Sequence, residues 1–265
     1  MKIKAVILDM DGTLLGSNHK PSERTTNFLK SLEDKGVKVI IATGRSFPGA
    51  EHVIKEMGLK SEYLICYNGA KIVKYADKST VYENCLADET VRELINVAET
   101  KNVHINLYQD GNWYVDDEGS EETNFYSEKC GITPVIREHN SFENYEMPKI
   151  IYIGENSKIV EVREEIERKL GDKIGTSFSS DIFLEVMNKG VNKGNTVRWF
   201  LDHLGIDRDE CAAFGDAEND LEMLLSVKYG VAMGNANDEL KSKLNYSTLS
   251  NDEDGIVAFL EGNID

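Results

Sequence analysis

The sequence predicts an α/β fold in which both ends of the chain build one parallel β-sheet and an α+β domain is inserted between them. Two observations carry this prediction. Short apolar, β-rich runs alternate with helix-like patterns at both ends of the 265 residues. Between them, from about Asn84 to Asp181, the pattern changes to a hairpin signal and a long helix. A chain of this length can bury one large core or two modest ones, and we expect two unequal domains.

The first elements follow one another in the order strand, helix, strand, helix, strand. They are predicted at Ala5–Leu8, Ser22–Lys35, Val37–Ala42, Phe47–Met57 and Tyr63–Tyr67. Gly36 and Gly58 stand directly behind the two helices, where helix C-caps are expected. This order is typical of βαβ units, in which successive strands lie side by side in one parallel sheet.

The same alternation resumes near the C-terminus. The elements predicted there are a strand at Ile182–Val186, a helix at Lys193–Leu204, a strand at Cys211–Phe214, a helix at Asn219–Leu225 and a strand at Tyr229–Met233. Both ends of the chain therefore belong to one α/β core, made of residues 1–83 and 185–265. The hinges are expected near Glu83 and Glu185.

The inserted segment, residues 84–184, has a different pattern. Apolar runs at His104–Tyr108 and Trp113–Val115 flank Gln109-Asp110-Gly111-Asn112, which predicts a β-hairpin. A further run at Ile150–Ile153 precedes a long helix at Ser157–Leu170. Neighbouring antiparallel strands combined with helices are typical of a separate α+β domain.

The composition excludes several classes of partner. The formal net charge is −17 and the pI is near 4.8, which opposes binding to nucleic acid or to an anionic membrane. No apolar run is long enough to span a membrane and no signal peptide is evident, so we expect a cytoplasmic protein. The oligomeric state cannot be inferred from the sequence. Four widely spaced cysteines lack metal-site spacing and are expected to be reduced thiols: Cys66, Cys85, Cys130 and Cys211.

Polar residues with catalytic potential follow the predicted core strands. They are Asp9, Asp11 and Gly12 after the first strand, Thr43-Gly44-Arg45 after the second, Lys193 at a helix start, and Gly215-Asp216 with Asn219 and Asp220 after a later strand. In an open parallel sheet the ligand site lies beyond the carboxyl ends of the strands. Strand alternation predicts that Asp9 and Asp11 point the same way, and Gly12 permits a sharp turn behind them.

Together these residue types suit phosphoryl transfer. They offer a carboxylate nucleophile, a second carboxyl group for proton transfer, a hydroxyl group and a lysine. Several acids facing an anionic phosphate require a hard cation such as Mg²⁺. Taken singly, Asp216 and Asn219 could merely cap a helix. Arg45 could contact a substrate phosphate or pair with a nearby acid. A calcium loop starting at Asp9 is disfavoured, because His19 or Lys20 stands where a glutamate is needed.

These segments resemble the four ordered motifs of haloacid dehalogenase superfamily phosphatases. The matching segments are Asp9-Met10-Asp11-Gly12-Thr13-Leu14, Thr43-Gly44-Arg45, Lys193 and Gly215-Asp216-Ala217-Glu218-Asn219-Asp220. Three more are similar to the Cof-like branch: Tyr67-Asn68-Gly69-Ala70, Met233-Gly234-Asn235-Ala236 and Asp254-Gly255-Ile256. The resemblance implies a doubly wound, Rossmann-like core with the insertion as a large α/β cap of type C2B.

Carried over residue by residue, the resemblance also implies roles. Asp9 would attack phosphorus to form an aspartyl phosphate, and Asp11 would protonate the leaving alcohol and then activate water. Asp9, the backbone carbonyl of Asp11 and Asp216 would hold Mg²⁺, with Asp220 supporting the metal directly or through water. The phosphoryl oxygens would be bound by Thr43, the Gly44 N–H, Lys193 and Asn219.

The expected function is a Mg²⁺-dependent phosphatase acting on small phosphomonoesters such as sugar phosphates or phosphorylated cofactors. Two alternatives stay open. A phosphosugar mutase would use the same intermediate but return the phosphoryl group to another hydroxyl. A non-catalytic regulator would bind a phosphorylated metabolite in the same pocket, although the intact Asp9, Asp11 and Lys193 argue against it.

Overall fold

The computed structural model describes residues 2–263, without the side chain of Cys130. The chain divides into two compact units. The first combines the residues up to Tyr82 with those from Asn192 onward, and the second is Glu83–Val191. Each unit has its own β-sheet.

The elements of the described residues are as follows in chain order. The strands are β1 Ala5–Leu8, β2 Lys38–Ala42, β3 Tyr63–Cys66, β4 Lys71–Lys74, β5 Thr80–Glu83, β6 His104–Gln109, β7 Asn112–Val115, β8 Val135–Ile136, β9 Ile150–Ile153, β10 Ile174–Ser180, β11 Phe183–Asn188, β12 Cys211–Gly215, β13 Tyr229–Ala232 and β14 Tyr246–Ser247. The α-helices are α1 Glu23–Asp34, α2 Phe47–Met57, α3 Asp88–Lys101, α4 Glu121–Cys130, α5 Asn156–Leu170, α6 Lys193–Leu204, α7 Leu221–Leu224, α8 Asp238–Ser242 and α9 Gly255–Glu261. Short 3₁₀ turns lie at Tyr67–Gly69, Arg208–Glu210, Glu218–Asp220 and Asn251–Glu253.

The sheet of the first unit has the strand order β14-β13-β12-β1-β2-β3-β4-β5. Neighbouring strands from β14 to β3 are parallel, and β4 turns antiparallel to β3. In the centre, Ala5 of β1 pairs with Cys211 on one side and with Lys38 on the other. All four residues of β1 are buried, as expected for a strand that is covered on both faces.

Helices supply that cover from both sides. On one face, Val197 and Phe200 of α6 belong to the same apolar core as Ile7 of β1. On the other face, Phe259 of α9 packs edge-on against Phe214 of β12, with 5.7 Å between the ring centroids. Burial of apolar strand faces under helices on both sides is the main stabilising contribution in such a sheet. The predicted doubly wound α/β core is confirmed.

The sheet of the second unit has the order β10-β11-β9-β6-β7-β8. Its neighbours are antiparallel except for β7 and β8. The predicted hairpin is confirmed, because Gln109 pairs with Asn112 across Asp110 and Gly111, which both have positive φ. Helices α3 and α5 contact each other and contribute to one apolar core with β6, β9 and β11.

One boundary differs from the prediction made on sequence. The sequence pattern places the run Ile182–Val186 at the start of the core, with a hinge near Glu185. Glu185 instead lies inside β11, which pairs antiparallel with β9 and β10 in the second sheet. The chain leaves this unit between Val191 and Asn192. The physical reason is that an apolar run fits either sheet, and the pairing with β9 is a long-range contact that periodicity does not reveal.

The cysteines agree with the expected reduced state where they are described. Cys66 and Cys211 are free thiols, and burial raises the pKa of each to about 12. The side chain of Cys130 lies outside the described part. Among the helices that the structure describes, none combines the length and the apolar character needed to cross a lipid bilayer.

Candidate active site

Four neighbouring strands of the first unit end at one edge of the sheet, and predicted site residues follow them there. Asp9 follows β1, Thr43 follows β2 and Asp216 follows β12, while β3 leads into the turn Tyr67–Gly69. The order β12-β1-β2-β3 makes these strands adjacent. Their carboxyl ends therefore bring the predicted residues together. Lys193 joins them as the first residue of α6, which contacts β3.

A buried network of ion pairs forms the centre of the site. The Nζ atom of Lys193 donates to Asp9 Oδ1 at 2.5 Å and to Asp220 Oδ1 at 2.7 Å. All three residues are buried, and Lys193 is only 1% exposed. Helix α6 begins at this point because the Asn192 side chain accepts the Asn195 N–H at 2.7 Å. That cap places the lysine at the ends of the central strands.

Asp220 also shapes the loop behind β12. Its Oδ2 atom accepts the backbone N–H groups of Asp216 and Ala217, each at 3.0 Å. A Cβ atom on Gly215 would lie 2.5 Å from Asp220 Cβ, so only glycine permits this close approach. Both carboxylate oxygens of Asp220 thus accept hydrogen bonds from protein donors, which hold the Asp216 loop in place.

The Asp216 side chain is held from the other direction by the segment behind β1. The buried Thr13 donates from Oγ1 to Asp216 Oδ1 at 2.9 Å. Gly12 has a φ of +80°, and a Cβ atom there would lie 2.7 Å from Asp216 Cγ. Asn235 Nδ2 donates to the Gly12 carbonyl at 2.8 Å. Glycine is therefore needed at this position both for its backbone conformation and for space.

Replacing Gly12 by alanine, and comparing the result with the same change at Gly36, should separate the cost of backbone strain from the cost of overlap with Asp216. We expect Gly12→Ala to lower the free energy of unfolding by about 2–4 kcal/mol, from backbone strain plus overlap with Asp216. Gly36 is the matched control, because it has a φ of +84° and, among the described residues other than its chain neighbours, no atom lies within 4 Å of its Cβ position. Gly36→Ala should cost about 1–2 kcal/mol, from strain alone. Urea unfolding measures both values, and equal losses would show that the overlap with Asp216 costs nothing.

The electrostatics of the cluster indicate a deficit of positive charge. Burial raises the pKa of Asp9 well above its usual range, and repulsion from Asp220 raises it further. Attraction to Lys193 lowers the pKa but does not cancel these two effects. Burial likewise raises the pKa of Asp216 to about 6. For Lys193, burial lowers the pKa, but attraction to Asp220 and Asp9 outweighs it and the net shift is upward. One ammonium group is thus shared between two buried acids, Asp9 and Asp220, and the half-buried Asp216 lies beside them.

These three acids could hold a metal ion. One carboxylate oxygen from each of Asp9, Asp216 and Asp220 lies within 4.8 Å of the other two. Carboxylate oxygens are the ligands that hard divalent cations prefer. A cation would also favour the charged forms of Asp9 and Asp216, whose pKa values are raised first by burial and then by repulsion from Asp220.

Asp11 is placed differently from Asp9. Strand β1 ends at Leu8, so the strand alternation expected to align the two acids does not extend to them. Asp9 is buried, whereas the Asp11 side chain is 51% exposed. Arg45 donates to both Asp11 oxygens, from Nε at 2.9 Å and also from Nη2. Of the two roles considered for Arg45, the structure shows the ion pair.

The loop after β2 is tied to the turn after β3. Thr43 is fully buried, and its Oγ1 accepts the Arg45 N–H at 3.1 Å. The Asn68 N–H donates to the Thr43 carbonyl at 3.0 Å. Asn219 Nδ2 donates to Asn68 Oδ1 at 3.1 Å. Thr43, Gly44 and Asn219 therefore all lie next to Asn68.

Three further residues lie in this site, and no individual role is predicted for them from the sequence. They are Thr13, Asn68 and Asn235. Each stood in a segment quoted for its family resemblance, so the signal was present as a motif. No individual role could be derived for them, because their partners are distant in the chain.

Comparison with known proteins gives a consistent picture. The family model described as haloacid dehalogenase-like hydrolase matches residues 6–260. The chain is 32% identical over 241 residues to an HMP-PP phosphatase of Klebsiella pneumoniae, covering 91% of this chain and 88% of that protein. A haloacid dehalogenase-like hydrolase from Bacteroides thetaiotaomicron superimposes with a TM-score of 0.92 at 29% identity, covering 98% of this chain and 99% of that one. A sugar phosphatase of HAD subclass IIB has a TM-score of 0.83 at 25% identity, covering 98% of each chain.

The family match spans most of the chain, and the fold and the order of the site segments agree with it. The matched regions also span most of the length of each relative, so the similarity is not confined to one unit. The chain therefore belongs to the haloacid dehalogenase-like hydrolase family and is a phosphatase of its Cof-like branch.

Proposed function

We propose that the chain hydrolyses small phosphomonoesters with Mg²⁺ through an aspartyl phosphate on Asp9. The observation that carries this proposal is the buried network in which Lys193 joins Asp9 to Asp220, with Asp216 beside it. Asp9 is buried although burial disfavours its charged form, and a carboxylate in such an environment is a candidate nucleophile. The phosphatase names of the relatives support the same chemistry.

The residues of the site fit a Mg²⁺ ion, since they offer clustered oxygen ligands whose charge is disfavoured without a cation. Asp9, Asp216 and the backbone carbonyl of Asp11 would hold the ion. Both oxygens of Asp220 accept hydrogen bonds from protein groups, so we assign it support through water or through the Asp216 loop. When bound, Mg²⁺ supplies the positive charge that offsets repulsion between these acids and a phosphoryl group.

Two carboxyl groups would share the chemistry. The Asp9 carboxylate attacks phosphorus, the bond from phosphorus to the leaving oxygen breaks, and Asp11 gives its proton to that oxygen. Asp11 then takes a proton from the water that attacks the aspartyl phosphate, which releases phosphate and restores Asp9. The exposure of Asp11 suits exchange with water, but its ion pair with Arg45 has to open first.

The phosphoryl oxygens would be bound by Thr43, the Gly44 N–H, Lys193 and Asn219. An ammonium group has three donors, and two of those on Lys193 serve Asp9 and Asp220. The third is suited to a phosphoryl oxygen. Arg45 would contact phosphate only by exchanging Asp11 for it, since the guanidinium group now binds both Asp11 oxygens.

For substrate class we propose small phosphorylated metabolites, with the second unit, Glu83–Val191, as the domain that sets specificity. The similarity to a sugar phosphatase and to an HMP-PP phosphatase supports this class. The test is phosphate release from a panel of sugar phosphates, phosphorylated cofactors and HMP-PP, with and without Mg²⁺. Release that depends on the metal supports the proposal. Formation of an isomer without free phosphate would favour the mutase, and binding without turnover would favour the regulator.

The affinity for Mg²⁺ should depend on pH. The pKa of Asp216 is raised to about 6 by burial, and a protonated carboxyl group cannot ligate the ion. Binding therefore releases protons, and the dissociation constant should rise by up to about tenfold per unit of pH below 6. Calorimetric titration with Mg²⁺ between pH 5 and 8 measures this effect. Asp216→Asn should bind more weakly and lose the part of the pH dependence that lies near 6, whereas an unchanged profile would contradict the role of Asp216.

A further inference from the structure

The turn after β3 has an unusual backbone. Tyr67, Asn68 and Gly69 have consecutive φ values of 52°, 53° and 102°. Two non-glycine residues in the left-handed region cost free energy, and such conformations persist only where the surrounding structure imposes them. Strain of this kind is concentrated at functional sites, so the contacts of the turn indicate what it does.

The backbone of the turn joins two segments of the candidate site. The N–H groups of Tyr67 and Asn68 donate to the carbonyls of Arg45 and Thr43, each at 3.0 Å. The Gly69 carbonyl accepts the Thr196 hydroxyl at 2.7 Å. Thr196 lies in the first turn of α6, the helix that begins with Lys193. The turn therefore fixes the loop after β2 relative to the start of the lysine helix.

The side chain of Asn68 reaches a third segment. It is 6% exposed, and its Oδ1 atom accepts Asn219 Nδ2 at 3.1 Å. The same oxygen lies 3.0 Å from the position that a Cβ atom would take on Gly44, which is a tight contact. Asn68 thus packs on Gly44 and accepts one N–H of the Asn219 side-chain amide. Because the amide group is planar, this hydrogen bond also fixes the direction of its second N–H.

We propose that Asn68 is a positioning residue for phosphoryl transfer. It aims the Asn219 amide at the phosphoryl oxygens and packs against Gly44, whose backbone N–H group is proposed to bind the same oxygens. This inference rests on the proposed function, in which Asn219 and Gly44 bind the phosphoryl group. Asparagine suits the position because its side chain tolerates the left-handed backbone and also carries the acceptor.

The test is a double-mutant cycle of Asn68→Gly and Asn219→Ala. Glycine keeps the left-handed backbone without strain, so Asn68→Gly removes only the side chain. We expect it to lower kcat/KM about tenfold, as for a lost hydrogen bond that orients a group on a charged ligand. In the Asn219→Ala background the same change should have less than about a twofold effect, because the coupling is already lost.

Asn102→Gly is the matched control. Asn102 has a φ of 50° and is an exposed helix C-cap in the second unit, so the same substitution in the same backbone conformation should change kcat/KM less than about twofold. The cycle is repeated with the dissociation constant of inorganic phosphate in the presence of Mg²⁺, by calorimetry.

The outcomes separate this inference from the proposed function. A tenfold loss that persists in the Asn219→Ala background, or no loss from Asn68→Gly, would overturn the positioning role. If the unsubstituted chain released no phosphate from any substrate, the proposed function would fail. The phosphate-binding cycle would still decide whether Asn68 acts through Asn219, since it requires no turnover.

Discussion

The Asp9→Asn variant should release phosphate at no more than background, a loss of roughly 10⁴-fold or more in kcat. An amide has nearly the shape of a carboxylate but is not a nucleophile toward phosphorus, so the aspartyl phosphate cannot form. The variant should also remain folded. Burial and repulsion from Asp220 oppose the charge on Asp9, and without Asp9 the Lys193 ammonium keeps its contact with Asp220 at 2.7 Å. The melting temperature should therefore equal or exceed that of the parent.

Asp11→Asn is the matched control for this experiment. It retains the nucleophile but lacks the proposed acid and base, so we expect slow turnover with phosphorylated protein detectable by mass spectrometry after an acid quench. Phosphate release by Asp9→Asn at the parental rate would refute the nucleophile assignment. A melting temperature well below that of the parent would instead show that Asp9 is needed for folding.

The Lys193→Met variant should lose both activity and stability. Methionine is of similar length but leaves Asp9 and Asp220 buried without their shared cation. Removing one partner of a buried ion pair typically lowers the free energy of unfolding by about 3–5 kcal/mol, and we expect a loss of that order at pH 8. Phosphate release should fall to background as well, because the proposed phosphoryl contact is also removed.

This loss of stability should shrink in acid. Asp9 and Asp216 have pKa values raised in the folded protein, the latter to about 6. A carboxyl group whose pKa is higher when folded binds more protons in the folded state than in the unfolded state, so stability falls as pH rises through that range. Lys193→Met removes the attraction that counteracts this effect, which makes the slope steeper. Between pH 8 and pH 5 the difference from the parent should therefore decrease.

Urea unfolding of the parent and of Lys193→Met at both pH values measures the effect. Lys193→Met/Asp220→Asn is the control, because it removes one of the stranded charges and should recover part of the stability at pH 8. An equal loss at pH 5 and pH 8 in the single variant would show that the lysine contributes through packing rather than through charge.

How far the sequence predicts the fold is clear from two strands. The run Ala5–Leu8 was predicted to be a buried central strand, and it is buried throughout and paired on both sides. The run ending at Val186 was predicted just as readily but was assigned to the wrong sheet. Its residue Phe183 pairs with Ile153, a contact that depends on the register between distant segments. Periodicity reports which residues are buried, but not which partner buries them.

The features of the site likewise fall into those that the sequence predicts and those that depend on tertiary contacts. Because the residues that follow parallel strands share one edge of the sheet, the sequence alone determined that Asp9, Thr43 and Asp216 would lie near one another. It also determined the residue types at that edge, and hence the kind of chemistry available. These conclusions depend only on local chain order and on the α/β topology.

Only the tertiary structure decided which charges are paired. Lys193 lies between Asp9 and Asp220, while Arg45 binds Asp11 instead of standing free for phosphate. Asn68 entered the site through a contact with Asn219, far along the chain. The physical reason is that packing sets the distances and the burial of charged and amide groups. These determine which partner each group binds and how strong the ion pair or hydrogen bond is. Those quantities exist only once remote segments have come together.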